Sequence, residues 1–176
     1  MLDVITDFNF EDGDKLLKHT LPMAERLANL RRRAKRAGVA VIYVNDNFGK
    51  WQEDFKSIVI EFMKAESKGR EVVELLQPEP DDYYVLKPHR SGFYSTSLML
   101  LLQKLGTKKL IVTGITTDIC VLFTANDAYM RGFEIVVPAD CVAAVKNEHS
   151  KSSLEFMKRV LKADIRTSDR IRFDRI

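Results

Sequence analysis

A thiol, an amine and a carboxylate each stand at the end of an apolar run in this chain. Cys120 closes the segment Leu110-Ile-Val-Thr-Gly-Ile-Thr-Thr-Asp-Ile-Cys120, which reads as a strand, a glycine turn and a helix start at about Asp118. Asp118 fits an N-cap. Cys120 then lies in the first helical turn, where unpaired N–H groups and the helix dipole would favour a thiolate and lower its pKa. The same N–H groups could hold an oxyanion. The alternative is a small apolar Cys packed at a helix start. Lys87 follows Tyr83-Tyr-Val-Leu86 and precedes Pro88, at the carboxyl end of a second apolar run. It is either a solvated strand-end lysine or a partly buried one in need of an anion. Asp3 sits between Leu2 and Val4 and could supply that anion. Asp7 competes with it but is better suited to closing the turn before Phe8. Ligands bind at strand carboxyl ends in open α/β sheets. Brought to one such edge, the set could run acyl transfer. Asp3 takes the thiol proton, Lys87 holds the Asp3 charge and the substrate, and Cys120 attacks a carbonyl.

Two other cysteine chemistries fail on the letters. A Cys-x5-Arg phosphatase loop needs Arg at 126, where Asn126 stands, and a Cys-x-x-Cys redox pair needs Cys at 123, where Phe123 stands. A Cys–His pair with His89 or His149 stays open, although a lone His is more often structural or solvated. The two cysteines, Cys120 and Cys141, cannot build a disulfide scaffold, and no Cys/His spacing reads as a zinc site.

These residues need a frame to bring them together. Strands are expected over 39–45, 83–86, 109–114 and 133–137, each short and apolar, as in a sheet covered on both faces. Helical spacing of Leu16, Leu17, Met23, Leu27 and Leu30 marks a first helix, with Gly38 as its C-cap. Further helices are expected from Thr96 to Leu105, Asp118 to Arg131 and Glu148 to Leu161, the first two closed by Gly106 and Gly132. Strand–helix alternation with short turns predicts a single α/β domain over 1–176 with a parallel sheet. The stretch 46–82 reads as an excursion from the second strand, either a lid or a plain connection. Only two residues precede Asp3, so the first strand is expected to be very short or the sequence to start late.

Composition narrows the function classes. The chain has 176 residues, 45% hydrophobic, enough for one full core and short for two. Its 28 basic and 25 acidic residues leave +3, too even for a nucleic-acid binder. Arg31, Arg32, Arg33, Lys35 and Arg36 suit the end of the first helix as a solvated face. Arg166, Arg170, Arg172 and Arg175 could serve subunit contacts. No apolar run reaches the ~18 residues of a membrane span, and no signal-peptide pattern opens the chain. The expectation is a cytoplasmic protein of a reducing compartment, acting on a small molecule, with no nucleic-acid or membrane partner.

The motifs together resemble the isochorismatase-like cysteine hydrolases, which include nicotinamidases, N-carbamoylsarcosine amidases and ureidoacrylate amidohydrolases. Asp3-Val-Ile-Thr-Asp-Phe8 resembles the family's opening, with Asp3 at the acid/base position. Lys87 followed by Ser91-Gly92-Phe93 and Thr96 is similar to its Lys-x-x-x-Ser-x-Phe-x-x-Thr segment. Gly114-Ile-Thr-Thr-Asp-Ile-Cys120 followed by Ala125 and Asp127-Ala128 is similar to its nucleophile segment. The resemblance implies a three-layer α/β/α, Rossmann-like fold with about six strands in the order 3-2-1-4-5-6. It implies a cis peptide between Ile115 and Thr116, an oxyanion hole from the N–H groups of Thr116 and Cys120, and a homodimer or homotetramer. Nicotinamidases carry a metal-binding Asp-x-His after the second strand. Here Asp46 is followed by Asn47 and Phe48, and no His lies between 20 and 88. No metal and no other cofactor is therefore expected, and Phe48 and Trp51 suggest an aromatic wall, with Phe8 and Ile119 as further substrate contacts. The expected reaction is hydrolysis of a small amide or ureido C–N bond through a Cys120 thioester. The rival reading is a non-catalytic binding or scaffold protein that retains the fold.

Overall fold

The computed structural model describes residues 1–173. Helix α1 runs from Gly13 to Arg36 and buries Leu16, Met23, Leu27 and Leu30 along one stripe. It stops where the periodicity does. Gly38 takes a φ of 74°, and the Val39 N–H reaches back 3.0 Å to the Ala34 carbonyl, capping the last turn. Strand β1 (Ile42–Asp46) follows, then α2 (Phe55–Phe62) and α3 (Arg70–Leu75). Next come β2 (Tyr83–Lys87), α4 (Leu98–Lys104), β3 (Lys109–Ile111) and β4 (Gly114–Ile115). A π-helical turn at Thr117–Val121 leads into α5 (Leu122–Met130). The chain continues with β5 (Glu134–Val136), β6 (Val142–Ala143), α6 (Asn147–Val160) and a 3₁₀ turn at Ser168–Arg170.

Every ladder is parallel. β1 pairs with β2, with Asp46 opposite Lys87. β3 pairs with β5, and β4 with β6. The expected strand over 109–114 is thus served by two partners. The Val112 N–H bonds Val136 and the Gly114 N–H bonds Cys141, with Pro138 and a turn between the two acceptors. The first strand is a single residue of pairing: Leu2 bridges Val44 on one side and Gly114 on the other. A further bridge joins Val136 to Asp164.

Two apolar clusters form the core. One gathers Leu16, Leu27, Phe55, Ile58, Val72 and Leu76 from α1, α2 and the α3 region. The other gathers Leu98, Leu102, Val121, Ala125, Leu154 and Met157 from α4, α5 and α6. The stretch 46–82 is therefore no lid along its length. Phe55, Ile58, Phe62, Val72, Val73 and Leu76 are all buried, so α2 and α3 are part of the core. The arginine cluster is also less solvated than expected, since Arg31 and Lys35 pair with Glu79, Asp81 and Asp82. Arg175 lies outside the described residues. Among the described residues no helix is long and apolar enough to cross a membrane.

Candidate active site

Lys87 ends β2 with its side chain wholly buried. A buried ammonium must be paired, and its Nζ lies 3.0 Å from Asp3 Oδ2 and 3.7 Å from Cys120 Sγ. The structure thus brings Asp3, Lys87 and Cys120 together from three separate carboxyl ends. Each is placed by its own local structure. Asp3 follows Leu2 in the sheet and turns there with a φ of 51°, a left-handed conformation that Asp adopts more readily than most residues. Its Oδ1 accepts the Asp46 N–H at 2.7 Å. Buried Asn45 clamps the same segment by accepting the Ile5 N–H at 3.1 Å and donating to the Ile5 carbonyl at 3.0 Å. Cys120 sits inside the π turn, a local irregularity often found at functional sites.

The loop after Lys87 is fixed to α5. Ser91 donates to Asp127, and the Gly92 N–H donates to Thr124 Oγ1 at 2.9 Å. Gly92 leaves no room for a side chain, since a Cβ there would meet Val44 Cγ1 at 2.9 Å. The Ile115–Thr116 peptide is cis. The Thr116 carbonyl accepts the N–H groups of Ile119 and Val121, both at 3.1 Å, passing over that of Cys120.

The electrostatics correct one expectation. Position in a first turn predicts a lowered Cys120 pKa, but the thiol is pushed up to about 12. Burial is the main cause and the Asp3 charge adds to it, against the opposing pull of Lys87. Burial also raises Asp3, although Lys87, Cys120 and the Asp46 N–H pull the other way. Burial drives the Lys87 ammonium down, yet the charges of Asp3, Cys120 and Asp46 outweigh it and its pKa ends above the usual lysine value. The resting site is a protonated thiol beside an ammonium and a carboxylate of raised proton affinity. Cys141 is fully buried away from this centre.

Asp118 is not the cap. Thr116 holds that position, and Asp118 lies within the turn with Oδ1 buried and unpaired and Oδ2 3.4 Å from His149 Nδ1. Asp7 closes a local turn by accepting the Asn9 N–H at 2.9 Å. His89 lies tilted against Tyr94 with ring centroids 5.4 Å apart, and His149 faces Asp118, so neither is paired with the thiol.

The expected substrate contacts divide. Phe8 is fully buried in the core, so it has no surface to offer a ligand. Its backbone and ring are hemmed in by Gly13 and Gly69. Phe48 is partly exposed and packs edge-on against Phe62 at 5.4 Å, and Trp51 is 77% exposed. Ile119 is half-buried in the π turn beside Cys120. The sequence reading missed Asp46 as a neighbour of Lys87, 3.5 Å away. Only the β1–β2 register pairs the two, and no residue spacing carries that register. Among the described residues no three His, Cys, Asp or Glu converge to hold a metal ion. An apolar groove of about 660 Å³, lined by Leu27, Ala34, Val41, Leu105 and Ile111, touches none of the three central residues.

Comparison with known proteins identifies the fold and the family. The isochorismatase domain matches residues 1–169. The isochorismatase family protein YaaI of Bacillus subtilis is 39% identical over 171 residues, covering 97% of this chain and 93% of that protein. The ureidoacrylate amidohydrolase RutB of Methylorubrum extorquens is 31% identical over 144 residues, and the match takes in 69% of this chain but only 57% of RutB. Among solved structures, N-carbamoylsarcosine amidase from Thermoplasma acidophilum superposes with a TM-score of 0.73 at 28% identity, covering 97% of this chain and 95% of its own. The pyrazinamidase/nicotinamidase of Streptococcus mutans gives 0.71 at 25% identity, covering 93% and 96%. The α/β fold with parallel strands is shared with these solved structures, and the chain belongs to the isochorismatase family of hydrolases.

Proposed function

We propose that the protein is a metal-independent cysteine hydrolase that cleaves a small amide or ureido C–N bond. The observation that carries this reading is the Lys87 ammonium held between Asp3 Oδ2 at 3.0 Å and Cys120 Sγ at 3.7 Å. Asp3, with its raised proton affinity, takes the thiol proton as Sγ bonds to the substrate carbonyl carbon. Lys87 balances the charge throughout. The N–H groups of Thr116 and Cys120 receive the oxyanion, and Asp3 returns the proton to the leaving nitrogen as the C–N bond breaks. Water then attacks the thioester, giving a proton to Asp3. The C–S bond breaks, the acid leaves, and the proton passes back to sulfur. Amides and ureas fit because their poor leaving nitrogen needs this proton. Phe48, Trp51 and Ile119 are the side chains proposed to face the substrate. The names of RutB and N-carbamoylsarcosine amidase support the ureido class. In the same reading the parallel pairs and single bridges join into one sheet of order 3-2-1-4-5-6 between two helical layers, with Leu2 as strand 1 and Asp164 in strand 6.

The test is a screen of small amides and ureas with intact-mass detection of an acyl adduct. The adduct should form on Cys120 and be absent in Cys120→Ala. Turnover without an adduct, surviving in Cys120→Ala, overturns the reading.

A further inference from the structure

Asp46 touches the charged cluster twice. Its backbone N–H donates to Asp3 Oδ1 at 2.7 Å, and its carboxylate Oδ2 lies 3.5 Å from Lys87 Nζ. Oδ1 is held in turn by the Phe48 N–H at 2.7 Å, which fixes the carboxylate's direction. The β1–β2 ladder sets Asp46 directly beside Lys87, so the contact is built into the sheet rather than left to a mobile loop. One buried ammonium therefore serves two carboxylates and a thiol. Asp46 is 38% exposed on its side chain while Asp3 is 13%, so Asp46 is the better solvated of the two carboxylates.

We propose that Asp46 is a positioning residue for the triad: its carboxylate shares the Lys87 ammonium with Asp3, which tethers Lys87 and keeps the proton on the Asp3–thiol pair until a carbonyl arrives. This deepens the hydrolase reading and rests on it for its catalytic meaning. The physical argument is one of charge. An anion beside Lys87 opposes ionisation of its neighbours, so Asp3 stays a strong base and Cys120 stays a thiol. Without that anion, Lys87 gives its full charge to the pair, the thiolate becomes easier to form, and Asp3 becomes a weaker base. The charged and titratable groups around the pair come from every neighbouring element. They are the Met1 amino group beside Asp3, which burial lowers to a pKa of about 5 and leaves neutral at pH 8, Lys87 of β2, Asp46 of β1, and Asp118 with His149 at the π turn. Among the described residues, Asp46 alone places a second carboxylate on Lys87.

The test reads sulfur directly and needs no substrate. Iodoacetamide labelling of Cys120 at pH 8 is followed by peptide mass, with buried Cys141 as the internal control. In Asp46→Asn the labelling rate is expected to rise about three- to tenfold, the result of a pKa lowered by roughly half to one unit, with Cys141 unlabelled and the melting temperature little changed. Asp46→Glu, which restores the charge, should return the rate to that of wild type. An unchanged or slower rate in Asp46→Asn overturns the proposal, and so does Asp46→Glu labelling as fast as Asp46→Asn. A rise accompanied by Cys141 labelling also counts against it, because that marks a loosened fold. With any amide or urea found to be hydrolysed, Asp46→Asn should lower kcat about tenfold at little change in KM and move the acidic limb of the pH profile downward. If no amide or urea is hydrolysed, the function reading fails while the labelling result stands by itself.

Discussion

Cys120→Ala removes one sulfur atom from a half-buried turn, which costs about 1 kcal/mol of stability at most. Turnover should vanish while the circular-dichroism spectrum stays that of wild type. Lys87→Met is expected to be harsher. It leaves the Asp3 carboxylate in the same buried place with no cation, so Asp3 should hold its proton to still higher pH, activity should disappear, and stability should fall by about 3 kcal/mol in denaturant titrations at pH 7. Cys141 gives a pH prediction. Burial raises its pKa from 9.0 to about 12, so the unfolded chain loses that proton first. Its stabilising contribution is complete below pH 9 and shrinks as pH climbs toward 12. The protein should lose about 2 kcal/mol through this thiol by pH 10.5, and Cys141→Ala should flatten that part of the curve. At this scale the three residues singled out in the sequence are ones the structure brings together. Asp3, Lys87 and Cys120 each close an apolar run, and strand ends share an edge. It was misleading about proton affinity, because burial and the Asp3 charge decide the Cys120 pKa and both arise only once the chain has folded. Phe8 failed for a related reason: an aromatic near Asp3 in the chain says nothing of which way the backbone turns, and with a φ of 56° its ring lies in the core.

Gly114 joins element to site. Its φ is +109°, and a Cβ built there would lie 2.1 Å from the Leu2 carbonyl oxygen and 2.7 Å from the Leu2 nitrogen. Neither atom can yield without breaking the Leu2–Gly114 bridge, which among the described residues alone holds the first strand against β4. Gly114→Ala should cost about 3 kcal/mol, and it should also displace Asp3, the next residue along. Activity measured well below the melting point is therefore expected to fall further than stability does; full activity in a soluble Gly114→Ala variant would show that Leu2 does not register Asp3. Helix α1 was legible because a long apolar stripe and a terminal glycine agree. Helix α3 was not, since Arg70–Leu75 spans too few residues for a periodic pattern and owes its shape to tertiary burial of Val72 and Val73. The π turn was read as an ordinary helix start, because a π insertion has no local composition signal.

On the whole molecule, α4, α5 and α6 leave Leu100, Phe123, Met130, Phe156 and Val160 exposed. Phe123 and Met130 stand seven residues apart on one face of α5, which is in contact with α6. Exposed apolar residues on α5 and the adjoining α6 are a candidate association surface, which we propose joins two copies of the chain. Light scattering at micromolar concentration is expected to give at least twice the 20.2 kDa chain mass, and Met130→Lys with Phe123→Glu should shift the particle toward that of one chain. A wild-type protein eluting as a single chain would count against this. The net charge of +3 is small enough not to oppose such association.

The protonated resting thiol of Cys120 has a bearing on life in an oxidising burst. Peroxide reacts with thiolates, and a group pushed up to about 12 offers almost none at neutral pH. In the proposed mechanism Cys120 is ionised only as its proton passes to Asp3 with a carbonyl at hand. Cys120 is therefore expected to remain a free thiol by intact mass through a short exposure to millimolar hydrogen peroxide, and rapid conversion to the sulfenic acid would count against a protonated resting state.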